Sequence, residues 1–161
     1  MWWLALATAS AEPSDRVVFS VGERIVTQSD LAFEAFFAAH DSSPVPAFEA
    51  SDYPLEAKLV DIAMIRALAG DIAIYRPSDD EVRARVEAFL GQFPEHFEGR
   101  RALEAWGMDE DEFLGFVFSR MVVERCVARS VVSTGGDDDW RDRYAAWTGE
   151  LRARTPVRLA P

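Results

Sequence analysis

The apolar positions of this chain change period along its length, and each change marks an element. Val17-Val18-Phe19-Ser20-Val21 is a β-branched and aromatic run, followed by Gly22-Glu23 and then by Arg24-Ile25-Val26-Thr27. Two short runs split by a glycine-containing pair predict a β-hairpin. The spacing then becomes helical. Leu31 opens an apolar series in which Phe33, Phe36 and Phe37 fall at i, i+3 and i+4 and share one face. Thr27 or Ser29 is placed to cap this helix, with Asp30 near its positive end. The hairpin and helix together span residues 17–39.

Residues 40–53 carry Asp41, Ser42, Ser43, Pro44 and Pro46, all turn formers, and predict a loop. Pro54 suits the first turn of a helix. Leu55, Leu59, Ile62, Ala63, Ile65, Leu68, Ala69 and Ile72 extend that helix to about residue 74, apolar on more than one face and therefore central. Gly70 would be a weak point inside it, worth about 1 kcal/mol relative to alanine. Ser78-Asp79-Asp80-Glu81 has the serine and glutamate of a capping box. It leads into the cleanest amphipathic stripe of the chain, Val82, Val86, Phe89, Leu90 and Phe93, with Glu81, Arg83, Arg85 and Glu87 away from it. A short helix over 97–106 stops at Gly107. Asp109, Glu110, Asp111 and Glu112 then open the longest helix, which runs to about residue 132 and is apolar over most of its circumference. A helix of this kind is buried on several sides or binds something. Within it, Arg120 and Glu124 stand four apart, spaced to pair with each other or to form an exposed stripe.

Residues 133–139 form a polar glycine- and aspartate-rich linker. Beyond it Trp140, Tyr144, Trp147 and Leu151 share a helical face, and Val157-Arg158-Leu159 reads as a closing strand paired with the N-terminal hairpin. The fold class that follows is mostly α with a small antiparallel β element: the N-terminal hairpin, a C-terminal strand and about five to six helices.

Composition narrows the function. The chain has 161 residues, 49% of them hydrophobic and 28% charged, enough for a packed core. Its net charge of −11 would repel a phosphate backbone or an anionic membrane, and its cations, nearly all arginine, lie scattered among acids, so neither is expected as a partner. The single cysteine, Cys126, sits among Val122, Val123 and Val127 and reads as a buried apolar residue rather than a reactive thiol. His40 and His96 lie far apart without metal-ligand spacing. No phosphate-binding glycine loop, nucleophile elbow or H-E-x-x-H motif occurs. The acids at 109–112 and 137–139 are explained by a helix N-terminus and a solvated linker. No cofactor and no metal are expected. Residues 1–11, Met-Trp-Trp-Leu-Ala-Leu-Ala-Thr-Ala-Ser-Ala, combine an apolar run with a small-x-small cleavage pattern but lack a basic n-region. They read as the later part of a secretory signal, with the mature protein, residues 12–161, starting near Glu12.

The order of these elements resembles the SurA-type periplasmic chaperones. Val17 through Leu31 is similar to that family's hairpin, whose V-N-x-x-x-I-T-x-S-D-L-like pattern leads into the first helix. Leu55 to Leu68 resembles its L-x-x-L-I-x-x-x-L-L helix. Pro77-Ser78-Asp79-Asp80-Glu81-Val82 resembles V-S-D-E-E-V, Gly107-Met108-Asp109-Glu110-Asp111-Glu112-Phe113 resembles G-M-T-x-E-x-F, and Arg120 to Val127 resembles R-x-x-L-I-x-R-x-V. The departure is large: where relatives carry parvulin-type prolyl isomerase domains, this chain has only the 133–139 linker, and residues 140–161 resemble the helix and strand that complete the chaperone core. The resemblance implies a single chaperone core, no enzyme activity, a periplasmic location, and unfolded or extended polypeptide clients, among them outer-membrane proteins. Phe33, Phe36, Phe37, Phe89, Phe93, Phe116 and Phe118 are the candidate peptide-binding residues, although large aromatics belong first to cores. Two other readings stand beside this one: an isomerase-family protein without activity of its own, and an assembly subunit or dimer using the long apolar helix as its interface.

Overall fold

A computed structural model describes residues 15–49, 53–131 and 139–160. The signal-like segment 1–11 and linker residues 133–138 lie outside the described residues. Strand β1 (Val17–Val21) pairs antiparallel with β2 (Arg24–Thr27) through the Gly22-Glu23 turn. Gly22 takes φ +58°, a left-handed conformation that glycine adopts far more readily than residues bearing a Cβ. The register shifts between Val17 and Phe19, a bulge in the ladder. The C-terminal strand β3 (Val157–Leu159) adds to the other side of β1, giving the order β2-β1-β3. Phe19 faces Leu159 and Val21 faces Val157. Two short strands are marginal alone, and here the segment after α7 supplies the third.

Helix α1 (Gln28–His40) starts from Thr27, whose hydroxyl accepts from the Asp30 N–H while the Asp30 carboxylate accepts from the Thr27 N–H, a full capping box. His40 belongs to this helix rather than to the loop after it. That loop is also not irregular throughout. Residues Pro46–Glu49 form one helical turn, α2, and Val45, Ala47 and Phe48 are buried. Helix α3 (Leu55–Ala69) stops earlier than its apolar pattern suggested. Gly70 is its C-cap, at φ +49° with its N–H donating to the Arg66 carbonyl, and not an interior weak point. A 3₁₀ turn, Ala73–Tyr75, follows, and Leu68, Ile72 and Ile74 are left about half exposed.

Helix α4 (Asp79–Leu90) begins with the expected Ser78–Glu81 capping box. Helix α5 (His96–Ala105) closes with a Schellman motif: the Gly107 N–H donates to the Glu104 carbonyl and the Met108 N–H to the Leu103 carbonyl. Gly107 holds φ +70°, and Met108 and Leu103 pack in the same cluster. Helix α6 (Glu110–Ser130) is capped by Asp109 and Glu112, and α7 (Trp140–Arg154) leads into β3. The described residues therefore hold seven α-helices, the added one being the single turn α2.

Two apolar clusters form the core. One lies under the sheet and joins Phe19, Val21 and Val26 to α3 (Ile62, Ile65), α6 (Val122, Val123, Cys126) and α7 (Tyr144). The other is helical throughout, with Phe33 and Phe37 of α1, Val86 and Phe89 of α4, Leu103 of α5, and Phe113 and Val117 of α6. The long helix α6 runs through both, so its apolar circumference is explained by burial on several sides.

Candidate functional site

Helices α1, α4, α5 and α6 converge on a nest of aromatic rings. Phe37 stacks on Phe89 at 5.5 Å and meets Phe116 edge-on at 4.9 Å, and Phe33 meets Phe116 edge-on at 5.0 Å. These offset and edge-to-face contacts are the preferred aromatic geometries, worth about 0.5–1.5 kcal/mol each beyond buried area. Six of the seven candidate phenylalanines thus come together. Three of them, Phe33, Phe37 and Phe89, are buried, Phe89 to 1% exposure, and serve the core instead of offering surface. Phe36, Phe93 and Phe116 are only half buried. Phe118 is half buried where the two clusters meet, beneath the Arg76 guanidinium.

The exposed rim of the nest gains a member that the sequence did not single out. Trp106 is 38% exposed and lies 5.8 Å from both Phe33 and Phe36. Its place follows from Gly107, which reverses the chain just after it. Phe36 in turn approaches Phe93 at 6.3 Å, and His40 stacks on Phe93 at 4.7 Å with Nδ1 2.9 Å from the Phe36 carbonyl. A carbonyl only accepts, so Nδ1 carries the proton of that bond. Gly99 lets α5 approach closely, since a methyl group there would stand 2.9 Å from Leu90 Cδ2 and Phe93 Cδ2. The result is a half-open floor of Phe36, Phe93, Phe116 and Trp106. Its lining is aromatic and it is only partly covered by the surrounding helices.

Charged groups brace this floor from beneath. Glu34 lies between Phe33 and Phe37 on α1 and accepts from the buried Arg120 guanidinium. Its other oxygen faces the ammonium of Lys58, the chain's single lysine, at 3.3 Å, an ion-pair contact without hydrogen-bond alignment. Lys58 donates to the Phe48 carbonyl at 2.7 Å. The Arg120 guanidinium also stands 5.4–5.7 Å from the rings of Phe37, Phe48 and Phe116, within cation–π range. On the next turn of α6, Glu124 accepts from Ser43 at 2.7 Å and from Arg85, whose guanidinium also grips Asp41 at 2.9 and 2.5 Å. Burial works against the Arg85 charge, but its hydrogen bonds to Asp41 and Glu124 outweigh that and hold its pKa above the ordinary arginine value. Arg120 and Glu124 are therefore neither an exposed stripe nor a pair. Each reaches a different helix, because both point inward where an unpaired charge is costly. Arg85, expected on the solvent side of α4, is drawn in for the same reason.

A third polar group fastens α7 to α3. The buried Asp61 accepts from Tyr53, from Tyr144 at 3.1 Å and from Arg152 at 3.0 and 2.6 Å. Burial, and then the hydrogen bond to Asp61, pushes the Tyr53 hydroxyl up to about 12. Burial raises Tyr144 further, reinforced by the Asp61 charge. A cleft of about 250 Å³ opens over this group, between Tyr53, Trp140, Tyr144 and Arg152. The polar groups at its floor satisfy one another. Cys126 is buried, and burial pushes its thiol up, in keeping with a packing role. His96 sits at the surface, 3.7 Å from Glu87. Among the described residues no cluster of three or more histidine, cysteine or acidic side chains could hold a metal ion, and no helix is long and apolar enough to cross a membrane.

The site and the fold define a mostly helical protein with a small antiparallel sheet and a braced, half-exposed aromatic floor. No family model matches the chain, and no curated protein matches it at a meaningful level of similarity.

Proposed function

We propose that this protein is an ATP-independent holdase of the SurA kind, which binds unfolded or extended polypeptide in the periplasm and serves outer-membrane protein biogenesis. The observation that carries the reading is the floor of Phe36, Phe93, Phe116 and Trp106, left partly open on a packed helical body. An apolar surface of this sort takes up client side chains with little sequence preference, because burial of apolar area is non-directional. The acidic exterior keeps the protein soluble while the patch stays uncovered. The absence of a phosphate-binding glycine loop from the sequence supports independence from ATP. The absence of an isomerase-sized insertion at 133–139 supports a chaperone core without prolyl isomerase activity.

The test is light scattering of a urea-unfolded outer-membrane β-barrel diluted in the presence of the protein. Stoichiometric protein is expected to suppress aggregation, and the double variant Phe36→Ser/Trp106→Ser to suppress it less. Unchanged aggregation at stoichiometric excess refutes the reading.

A further inference from the structure

The outer edge of β3 presents a second kind of surface. Between β1 and β3, Gly22 N–H donates to the Pro156 carbonyl at 3.1 Å and Ala160 N–H to the Val18 carbonyl at 2.9 Å. In an antiparallel ladder both backbone groups of a residue point to the same side, and successive residues alternate. Pro156, Arg158 and Ala160 therefore face β1, while Val157 and Leu159 aim their N–H and C=O groups outward. Natural sheets guard such edges with lysine, proline or inward-pointing charge. Here the edge is short and carries Pro156 and one charge, Arg158, set between two apolar residues whose backbone groups aim outward.

The side chains repeat the pattern. Val157 and Leu159 lie opposite Val21 and Phe19 and so share the face of the sheet that forms the core. Yet they are 38% and 81% exposed, whereas Val21 and Phe19 are buried. They extend the apolar face of the sheet beyond the helices that cover it. Arg158 points to the opposite face, across from Ser20. Charge is reversed locally: on a chain of net charge −11, residues 151–160 contain Arg152, Arg154 and Arg158 and no acid. Arg152 is engaged by Asp61 and Arg154 approaches Glu150 at 4.0 Å, while Arg158 has no ion-pair partner among the described residues.

The occupant follows from these features. A second copy paired edge to edge about Arg158 would place arginine opposite arginine, and like charges directly opposite destabilise a strand pair. An acidic residue flanked by apolar ones fits all three positions. We propose that β3 accepts an extended polypeptide segment of apolar–acidic–apolar alternation as a fourth strand, its apolar side chains over Val157 and Leu159 and its carboxylate against Arg158. This rests on the polypeptide-binding reading above and gives it a main-chain site and a charge preference.

The experiment uses the full chain and fluorescent peptides alternating valine with glutamate or valine with lysine, read by anisotropy. The valine–glutamate peptide binds the wild type more tightly. Arg158→Glu weakens it by about fivefold and favours the lysine peptide, as a reversal of cross-strand charge dictates. Leu159→Pro removes an outward N–H that β1 does not use and abolishes binding, with amide exchange at Ser20 and Gly22, whose N–H groups face β3, unchanged. A peptide N-methylated at alternate amides tests the same edge without altering the protein, and its binding is also lost. Equal binding of both peptides, insensitive to Arg158→Glu, overturns the proposal. So does a concentration-dependent dimer that Leu159→Pro dissolves, which would assign the edge to a second copy. If the wild type suppresses client aggregation while the peptides ignore the edge, only the edge proposal fails. If it suppresses no aggregation at all, the holdase reading fails.

Discussion

Replacing Glu34 by glutamine removes one negative charge and almost no volume from beneath the aromatic floor. The carboxylate is 2% exposed and answers two buried cations, Arg120 and Lys58. Breaking a buried pair by removing one partner typically costs about 3–5 kcal/mol, because the surviving charge stays desolvated and unanswered. The loss here is expected near the lower figure, about 3 kcal/mol. Arg120 keeps the faces of Phe37, Phe48 and Phe116, and Lys58 keeps the Phe48 carbonyl. At about 2–4 °C per kcal/mol for a chain of this size, the melting temperature falls by about 6–12 °C. Urea unfolding followed by circular dichroism measures the change directly, with an unchanged m-value showing that both end states are intact. The companion variant Glu34→Leu/Lys58→Met/Arg120→Met replaces all three charges with apolar groups. It is expected to recover most of the loss, since apolar replacement of a whole buried ionic group is often neutral or stabilising. A Glu34→Gln loss below about 1 kcal/mol, the size of one ordinary neutral hydrogen bond, would refute the buried-charge argument. A triple variant as unstable as the single one would show that lost packing, not unpaired charge, sets the effect.

Two further predictions concern the neighbouring elements. Gly99→Ala gains about 1 kcal/mol of helix propensity but forces a methyl group into the tips of Leu90 and Phe93, and overpacking of this kind costs about 1–3 kcal/mol. A modest net destabilisation with weakened client protection is expected, and a variant more stable than the wild type would show that α5 withdraws without strain. Tyr53, held at about 12, keeps its proton in the folded protein when the unfolded chain has lost it. Its contribution to stability is thus present below pH 10, the ordinary tyrosine value, and lost as the pH rises through 12. Tyrosine absorbance during alkaline titration should rise in step with unfolding above pH 10, and full tyrosine ionisation in a still-folded protein would contradict this.

What the sequence reveals here is what local rules decide. The Thr27, Ser78 and Asp109 caps depend on residues three apart, and the Val17–Val21 and Arg24–Thr27 strands on a two-residue turn. The β1–β3 pairing is long-range, yet alternation at Val157–Leu159 and the order of elements were enough to anticipate it. The role of Gly70 is not encoded locally, because propensity alone does not say whether a glycine interrupts a helix or ends one. The α2 turn leaves no periodic trace in the sequence because it is a single turn opening at Pro46, held by the burial of Phe48 rather than by any pattern of its own. The charged brace was illegible for a deeper reason. Glu34 and Arg120 are 86 positions apart, and nothing local tells Arg120 to choose Glu34 over Glu124, four residues away on its own helix. Nothing in the sequence marks Trp106, because its exposure depends on where the Schellman turn sends the chain.

The closing of the sheet bears on how the molecule assembles. Because Phe19 partners Leu159, nearly the whole chain lies inside the loop that this pairing closes. The β1–β2 hairpin can form in about 1–10 μs, whereas β3 reaches β1 from the end of α7, the helix that the Asp61 group fastens to α3. In vectorial synthesis β3 emerges after both strands it must join, and contacts of such high sequence separation slow folding. It is also a short seam held by few bonds, so it belongs to the class of segments that open locally while the rest of a protein remains folded. The sheet of this protein is completed late and loosened early, so its third strand behaves more like a clasp than a wall.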